Sequence, residues 1–305
     1  MCKIIKTCFL ASHWAIAALV VIAPVSAFAQ VNVQTFTQAT GATYQSTEQA
    51  LLNRSPFDAP AAPWNVGLNY HYADHPLEEY DSSNTQRTRI LVNGIHTLEL
   101  NAGYLARGWA VGVETQIHEV SIPGQTSQAA LGDSRVQGKV GVWESADGLT
   151  GFTLIPEVYL PSGNANNFVS NHSFGGAFRL SFEKDFAWIR AALNLGFRFY
   201  AQDAQFRDLD YRKQLPWSAA VFVPITESWG ANLEFYQAVV IPRTALENPG
   251  ELYAGAKLKV GLQGVAHLGV SIGQTDFDRS DDFRIHAGLQ WSFGLTSEPA
   301  MQPVQ

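Results

Sequence analysis

The chain has 305 residues, of which 46% are hydrophobic, only 15% are charged and 25 are glycine. Such a composition excludes a disordered acidic tail, a collagen-like fibre and a disulfide-stabilised miniprotein, and it leaves enough apolar residues for a folded structure. The formal net charge is −7, and there is no run of basic residues. Nucleic acid is therefore not expected as a partner.

The first 29 residues have the three parts of a secretory signal peptide. A basic start, an apolar stretch over residues 9–25 and the small-residue site Ala27-Phe28-Ala29 follow one another in the expected order. We therefore expect residues 1–29 to be removed. An uncleaved anchor helix is the alternative, and the cleavage site argues against it. Cleavage takes away both cysteines, so the exported chain would offer no thiol for a disulfide or a metal.

Residues 30–63 are predicted to form an extended periplasmic leader. They are rich in Gln, Thr and Ala at their start and contain three prolines within residues 55–63. No later stretch approaches the roughly eighteen uninterrupted apolar residues that a membrane-spanning helix requires. A helical membrane protein is therefore excluded for the remainder of the chain.

From Trp64 to Phe293 apolar and polar residues alternate with a period of two, which is typical of β-strands with one apolar face. In the last segment the odd-numbered positions from Phe283 to Phe293 are apolar, and the even-numbered positions between them are polar or glycine. Twelve such segments can be distinguished. They begin near Trp64, Ile95, Trp109, Gly132, Leu149, Ser173, Ala187, Leu215, Ser228, Glu251, Gly264 and Phe283.

Short and long connections alternate between these segments. The connections after even-numbered segments are short, at 106–108, 145–148, 184–186, 224–227 and 262–263. Those after odd-numbered segments are long and polar, at 71–93, 121–131, 161–172, 202–213, 242–250 and 275–282. This rhythm is typical of an up-and-down antiparallel barrel in the bacterial outer membrane. We predict an all-β transmembrane barrel of about 12 strands over residues 64–294, with a periplasmic tail at 295–305.

One proline lies inside the fifth segment. Because a closed barrel has no free edge strand on which a proline could be placed, we expect a β-bulge at Pro156.

Alternation alone does not decide which face is wet, because a soluble lipocalin-like barrel or β-sandwich has the same pattern with its apolar side chains inside. The polar rows carry twelve charged residues, and burying so many ions in a dry interior would be costly. We therefore expect these residues to face a lumen and the apolar rows to face lipid. The predicted lumen-facing charges are Glu99, Glu114, Arg135, Lys139, Glu157, Arg179, Arg190, Arg198, Glu234, Lys257, Lys259 and Arg284.

The tryptophans support this orientation, since indole rings prefer the headgroup layer of a membrane. Six of the seven tryptophans after the signal peptide fall at one predicted rim. The strict period of two would turn Trp143 and Trp188 inward. The predicted membrane-interface aromatics are Trp64, Trp109, Trp229 and Trp291.

Several short motifs resemble the barrel region at the front of long OmpA-type outer-membrane proteins. They lie at Trp64 to Leu77, Gly94 to Leu100, Leu131 to Arg135, Pro156 to Gly163 and Phe283 to Gly294. The same motifs are similar to barrels grouped as transporters of aromatic-degradation pathways. The longer OmpA-type proteins continue into a peptidoglycan-binding domain, which we do not expect here because the sequence stops at Gln305.

This resemblance implies several partners. Trp291-Ser292-Phe293 resembles the terminal signal that the barrel-assembly machinery reads during biogenesis. Outer-membrane lipid and lipopolysaccharide are the expected surroundings of such a barrel.

Motifs for catalysis are scarce. There is no nucleotide-binding loop, no zinc-type spacing and no Gly-x-Ser-x-Gly elbow, so no cofactor is expected. The best lead for a lipid-modifying enzyme is His172 beside Ser173. Adjacent residues on a strand point to opposite faces, so these two cannot act as a pair there, and a polar loop end is the favoured interpretation.

Two groups of residues could bind a metal ion at the loops. His71 and His75 flank Asp74, and four aspartates lie close together at Asp276, Asp278, Asp281 and Asp282. Neither group has the spacing of a defined metal site, so solvated loops are the favoured interpretation and no metal is expected.

The predicted lumen-facing charges are the feature of the sequence that indicates a function. If acidic and basic rows face each other across water, they give the barrel selectivity, and the basic cluster from Arg135 to Arg198 would favour anions or carboxylated solutes. If they pair tightly, the lumen is plugged and the barrel is structural or mediates surface interactions. We favour a narrow, partly occluded passive channel for small ions or polar solutes over this alternative, and over a lipid-modifying enzyme.

Overall fold

The structure is a computed structural model. It describes residues 63–80, 87–106, 108–163, 169–170, 173–186, 188–201, 205–206, 209–210, 213–226, 228–241, 250–261, 264–273 and 283–293. The predicted signal peptide, almost all of the predicted leader, the tail, His172 and the four loop aspartates lie outside these ranges. Within the ranges, no helix has the length and apolar character needed to cross a membrane.

The described residues form fifteen β-strands. Their bounds are β1 (Trp64–Tyr80), β2 (Arg87–Ala106), β3 (Trp109–Ser121), β4 (Gln128–Leu131), β5 (Ser134–Glu144), β6 (Thr150–Leu160), β7 (Gly175–Asp185), β8 (Arg190–Tyr200), β9 (Gln205–Phe206), β10 (Leu209–Asp210), β11 (Lys213–Pro224), β12 (Trp229–Ile241), β13 (Gly250–Val260), β14 (Gly264–Gly273) and β15 (Phe283–Phe293).

Twelve of these strands close into an antiparallel barrel. Each strand of the ring pairs with the strands before and after it, and β1 pairs with β15 from Trp64–Phe293 to Asp74–Phe283. The three remaining strands lie in the connections: β4 pairs with the end of β3, and β9 pairs with β10. The predicted 12-stranded all-β barrel is therefore confirmed.

Exposure alternates along the strands, and the exposed face is the apolar one. On β3, Val111, Val113 and Ile117 are 40–54% exposed, whereas Glu114 and His118 are buried. A soluble barrel has the opposite arrangement, with apolar side chains inside. Hydrocarbon as the surrounding solvent explains this inversion, and the predicted phase of the alternation is confirmed.

Both ends of the ring and the short turns lie at one rim, which the general architecture of these barrels identifies as periplasmic. The turn between β5 and β6 is closed by its own side chains. Ser145 donates a 2.5 Å hydrogen bond to Asp147, and the backbone N–H of Leu149 donates another of 3.0 Å. These donors, Ser145 first, hold the pKa of the Asp147 carboxyl below its usual value.

Tryptophans surround this rim. The four predicted interface residues, Trp64, Trp109, Trp229 and Trp291, are 41–49% exposed. Trp143 is also exposed, contrary to the prediction that it points inward. A β-bulge between Gly141 and Trp143 shifts the register by one residue, so that Trp143 pairs with the outward Phe152.

Trp188, the other tryptophan predicted to point inward, is 68% exposed. It lies in the connection before β8 rather than in a strand, where the period of two no longer applies.

The connection between the first two segments differs most from the prediction. The sequence predicts a loop over residues 71–93, whereas β1 continues to Tyr80 and β2 begins at Arg87. Outside hydrocarbon, water solvates both faces of a β-ribbon, so polar residues do not end a strand there. An apolar cluster packs at this end of the barrel, and we call it the outer cluster. Its buried residues are Leu77, Val92, Ile95, Val120, Ala130 and Val169.

Two other predicted loops also contain strands. β4 lies within residues 121–131, and the β9–β10 hairpin lies within residues 202–213. Both are four residues or fewer per strand, which is too short for an alternation to be recognised in the sequence.

The predicted bulge at Pro156 is wrong. The register between β5 and β6 is the same before and after Pro156, and pairing with β7 is continuous. Two residue pairs are instead missing from the β5–β6 ladder, since proline cannot donate a backbone hydrogen bond. Gly138 lies opposite, and a Cβ atom there would be 3.2 Å from Cγ of Pro156. The glycine provides the space that lets a central strand contain a proline.

We expect Gly138→Val to destabilise the barrel by about 1–3 kcal/mol, because the new side chain overpacks against the ring of Pro156. Unfolding in guanidinium of protein refolded into lipid vesicles, followed by tryptophan fluorescence, measures this change. In a Pro156→Val background the same substitution should be nearly neutral. An equal loss in both backgrounds would show that the proline is not the cause.

Charge on the lipid face tests the orientation of the rows. Leu195, in the middle of β8, is 56% exposed, and Leu195→Arg should cost about 2–4 kcal/mol in the same vesicle assay. Val142, near the periplasmic end of β5, is 61% exposed, and Val142→Arg should cost no more than about 1 kcal/mol there. Equal costs at the two positions would contradict the assignment of this face to lipid.

Candidate functional site

The inward rows of the barrel form the candidate site. Ten of the twelve predicted lumen charges lie on these rows and are at most 8% exposed. The other two lie at the periplasmic rim. Arg190 forms an ion pair with Asp185 and keeps 36% of its side chain exposed. Lys259 is exposed and lines a small pocket at the mouth together with Lys257 and Phe222.

Acidic and basic side chains alternate across β3, β5, β6 and β7. Arg135 is the register partner of Glu114 and binds it through Nη2. Its Nη1 atom lies 3.8 Å from Oε1 of Glu157, which also binds Nη2 of Arg179. The hydroxyl of Tyr159 donates a 2.5 Å hydrogen bond to Glu157. Cross-strand and diagonal neighbours on one face of a sheet therefore build this chain of charges.

Polar side chains continue the chain onto β2 and β1. Gln116 donates to Glu114 at 3.0 Å and to Glu99 at 3.3 Å, so it joins the two carboxylates. Asn69 donates a 2.6 Å hydrogen bond to Glu99, and Nε2 of His71 lies 3.8 Å from the same carboxylate. Each carboxylate in this region thus has more than one donor.

Histidines carry the chain across the seam between β1 and β15. His71 and His286 are register partners, and their Nδ1 atoms are 2.9 Å apart. One of the two rings must donate and the other accept, because a hydrogen bond between two Nδ1 atoms needs one proton. Ser271 then lies 2.9 Å from Nε2 of His286 and donates to Glu251 at 3.1 Å.

These contacts make a continuous band of hydrogen bonds and ion pairs over nine of the twelve barrel strands. We call it the polar belt. Its members are Glu251, Ser271, His286, His71, Glu99, Gln116, Glu114, Arg135, Glu157 and Arg179. Arg284 joins it through a 3.4 Å ion pair with Glu251.

The sequence analysis did not identify the histidines of the lumen. His118, His267 and His286 are at most 9% exposed, and all lie on inward rows with the predicted charges. Their positions in the alternation were a usable signal, since each falls on a polar row. His71 was grouped with His75 by proximity in the sequence, but on β1 it faces His286 and Glu99 instead.

The structure does not bring His71 and His75 together around Asp74. His75 lies 3.0 Å from Asp74, in a left-handed conformation with φ of 46°, whereas His71 belongs to the polar belt. In the described part of the chain, no three His, Cys, Asp or Glu side chains are arranged to hold a metal ion.

Ser173, the candidate nucleophile, is 3% exposed. Its hydroxyl donates a 3.1 Å hydrogen bond to the backbone carbonyl of Phe174. A serine that acts on membrane lipid must be reachable from the lipid-facing side, and Ser173 is not. The structure therefore gives no support to the lipid-modifying site.

Glycines on the inward rows let large side chains lie against the barrel wall. Gly255 and Gly269 are register partners, and Tyr253 lies over both of them. A Cβ atom at Gly255 would be 2.1 Å from the hydroxyl of Tyr253, and one at Gly269 would be 2.3 Å from it. The ring follows the wall because these two positions have no side chain.

Comparison with known proteins identifies the fold. No family model and no curated protein matches the sequence. Among solved structures, an outer-membrane channel from Pseudomonas putida F1 is 8% identical, with a TM-score of 0.64 over 79% of this chain and 98% of that one. The NanC porin is 11% identical, with a TM-score of 0.51 over 76% and 100% of the two chains.

A third similar structure is the KdgM porin in complex with disordered oligogalacturonate. It is 10% identical, with a TM-score of 0.50 over 75% of this chain and 99% of that one. These likenesses show that the chain has the fold of bacterial outer-membrane barrels. The narrower resemblance to OmpA-type barrels is not shown by them.

We expect Glu157→Gln to destabilise the barrel by about 3–5 kcal/mol, because Arg135 and Arg179 would lose their shared buried counter-charge. Guanidinium unfolding in lipid vesicles measures the loss. Glu119→Gln is the matched control, since Glu119 is an exposed carboxylate on β3, and it should change stability by less than about 0.5 kcal/mol. Equal losses of stability in Glu157→Gln and Glu119→Gln would mean that the ion pairs of Glu157 do not stabilise the barrel.

Proposed function

We propose that the protein is a passive transport barrel of the outer membrane, with a narrow lumen for small ions or polar solutes. The polar lining of the lumen is the observation that carries this proposal. Replacing buried ion pairs by well-packed apolar residues is often neutral or stabilising, so stability alone does not account for an interior of charged and amide side chains. Such linings set selectivity where solutes pass.

The arrangement of Tyr253 agrees with a path along the lumen. A side chain that lies along the wall over glycines leaves more of the cross-section free than one that crosses it. The similar structures include a channel and porins, which supports transport. Proteins that share a fold can nevertheless differ in function.

A structural or surface-interaction barrel with a plugged lumen is the second candidate. The tight pairing of Glu157 and Arg179, both 3% exposed, favours it, because these side chains are buried from water at this level. A passive channel must then move part of the polar belt, or pass only ions and very small solutes.

We infer that the protein is not an enzyme, because the inaccessible Ser173 was the best catalytic lead in the sequence. Outer-membrane lipid, lipopolysaccharide and the barrel-assembly machinery remain the partners that we propose from the sequence resemblance.

Single-channel recording in planar lipid bilayers tests the transport proposal. We expect reproducible conductance steps in KCl, and larger steps for Tyr253→Ala, because even a ring that lies along the wall occupies part of the lumen. Leu268→Ala is the matched control, because Leu268 is 62% exposed on the lipid face of the next strand and should leave the steps unchanged.

Silence across a range of potentials would overturn the channel and support the plugged barrel. Steps that are the same in Tyr253→Ala and the unaltered protein would show that Tyr253 does not limit the path of the current.

A further inference from the structure

Several buried hydrogen-bond donors on the inward rows have no hydrogen-bond partner in the protein. Arg179 binds Glu157 through Nη2, but its Nε and Nη1 atoms have no hydrogen-bond partner. The same holds for Nε of Arg135 and for the hydroxyl of Tyr236. These three side chains are only 2–4% exposed. Buried donors without a partner are rare in proteins and call for a ligand or an ordered water.

These donors converge on the interior of the barrel. Arg179 is on β7 and Tyr236 is on β12, with β8 and β11 between them in the ring. Tyr236 nevertheless lies near the same register level as Arg179, because Tyr236 pairs with Ser218 and Ser218 pairs with Asn194. Asn194 in turn pairs with Ser181, two residues from Arg179. The guanidinium group of Arg198 also lies 5.4 Å from the ring centre of Tyr159, which donates to Glu157. These side chains are all buried on the inward rows, at similar register levels of neighbouring strands.

Gly196 determines the position of the Arg179 side chain. Gly196 is the register partner of Arg179, and a Cβ atom on it would be 2.6 Å from Cγ of Arg179. The aliphatic part of Arg179 thus rests on the wall at Gly196, and its guanidinium group reaches Glu157.

The chemistry of this group is complementary to an anion. A guanidinium group has five N–H donors and no acceptor. Glu157 accepts from Nη2 of Arg179 and from the hydroxyl of Tyr159, whereas Nε and Nη1 of Arg179 and Nε of Arg135 have no acceptor in the protein. Gln137, the register partner of Glu157, is a neutral amide and adds no negative charge that would repel an anion.

We propose that Arg179, Arg135 and Tyr236 form a binding site for the carboxylate group of a small solute in the lumen. A carboxylate supplies several acceptor sites, and charge-assisted hydrogen bonds to arginine are the strong ones. This inference rests on the proposed transport function for its physiological meaning, but binding itself is measurable without transport.

Equilibrium binding of ¹³C-labelled acetate to the full chain in detergent, followed by NMR line broadening, tests the site. Tyr236→Phe removes only a hydroxyl that has no hydrogen bond in the protein, and it should weaken binding by about threefold or more. Arg179→Gln should weaken it by about tenfold or more. Lys184→Gln removes an equal charge from the exposed outer side of β7 and should leave binding unchanged.

Acetamide has nearly the shape of acetate without its charge, and it should not displace acetate. The site is overturned if acetate does not bind or if acetamide displaces it. It is also overturned if Tyr236→Phe and Arg179→Gln bind acetate as well as the unaltered protein does. If Arg179→Gln does not fold, as judged by its heat-modified mobility in gels, Tyr236→Phe decides.

Bilayer recording separates the two proposals. Conductance together with acetate binding supports both of them, and conductance without binding overturns the carboxylate site alone. Binding without conductance keeps the site and overturns the channel.

Discussion

Closure of the backbone hydrogen bonds into a ring is the constraint on which the rest of this structure depends. A strand in hydrocarbon must find partners for its N–H and C=O groups on neighbouring strands, and a ring is the β-arrangement that leaves no edge. Closure also divides each strand into an outer and an inner row. Lipid determines the outer row. The inner row is shielded from lipid, and many of its polar side chains bind one another in the polar belt.

The polar belt determines the positions of its side chains more than it adds to the stability of the barrel. Buried ion pairs contribute little net stability relative to apolar packing, but breaking one is costly. Glu157 and Glu99 are each surrounded by several donors from different strands. Each carboxylate therefore fixes the positions of several neighbours, and a lumen built in this way has a defined charge pattern. Within this pattern the Nε and Nη1 atoms of Arg179 have no acceptor in the protein.

The sequence was sufficient for the fold because lipid imposes a period of two that can be read along each strand. It failed where that rule does not apply. Beyond the membrane, polar residues from 71 to 93 no longer indicate a loop, and β1 and β2 extend into this region. It also failed where the decisive partner is distant: Gly138 accommodates Pro156, and His286 meets His71 at a separation of 215 residues. The alternation of apolar and polar residues shows which face of the sheet a side chain lies on. It does not show which residue lies beside that side chain on the neighbouring strand.

The pairing of β1 with β15 has a consequence for biogenesis. The first and last strands of the ring are mutual neighbours from Trp64–Phe293 to Asp74–Phe283. A sheet that lacks β1 or β15 cannot close through this pairing, so it has two edge strands until the last strand is in place. Unpaired edge strands can associate with other chains. The β1–β15 pairing is therefore the step that removes the last edge from the sheet.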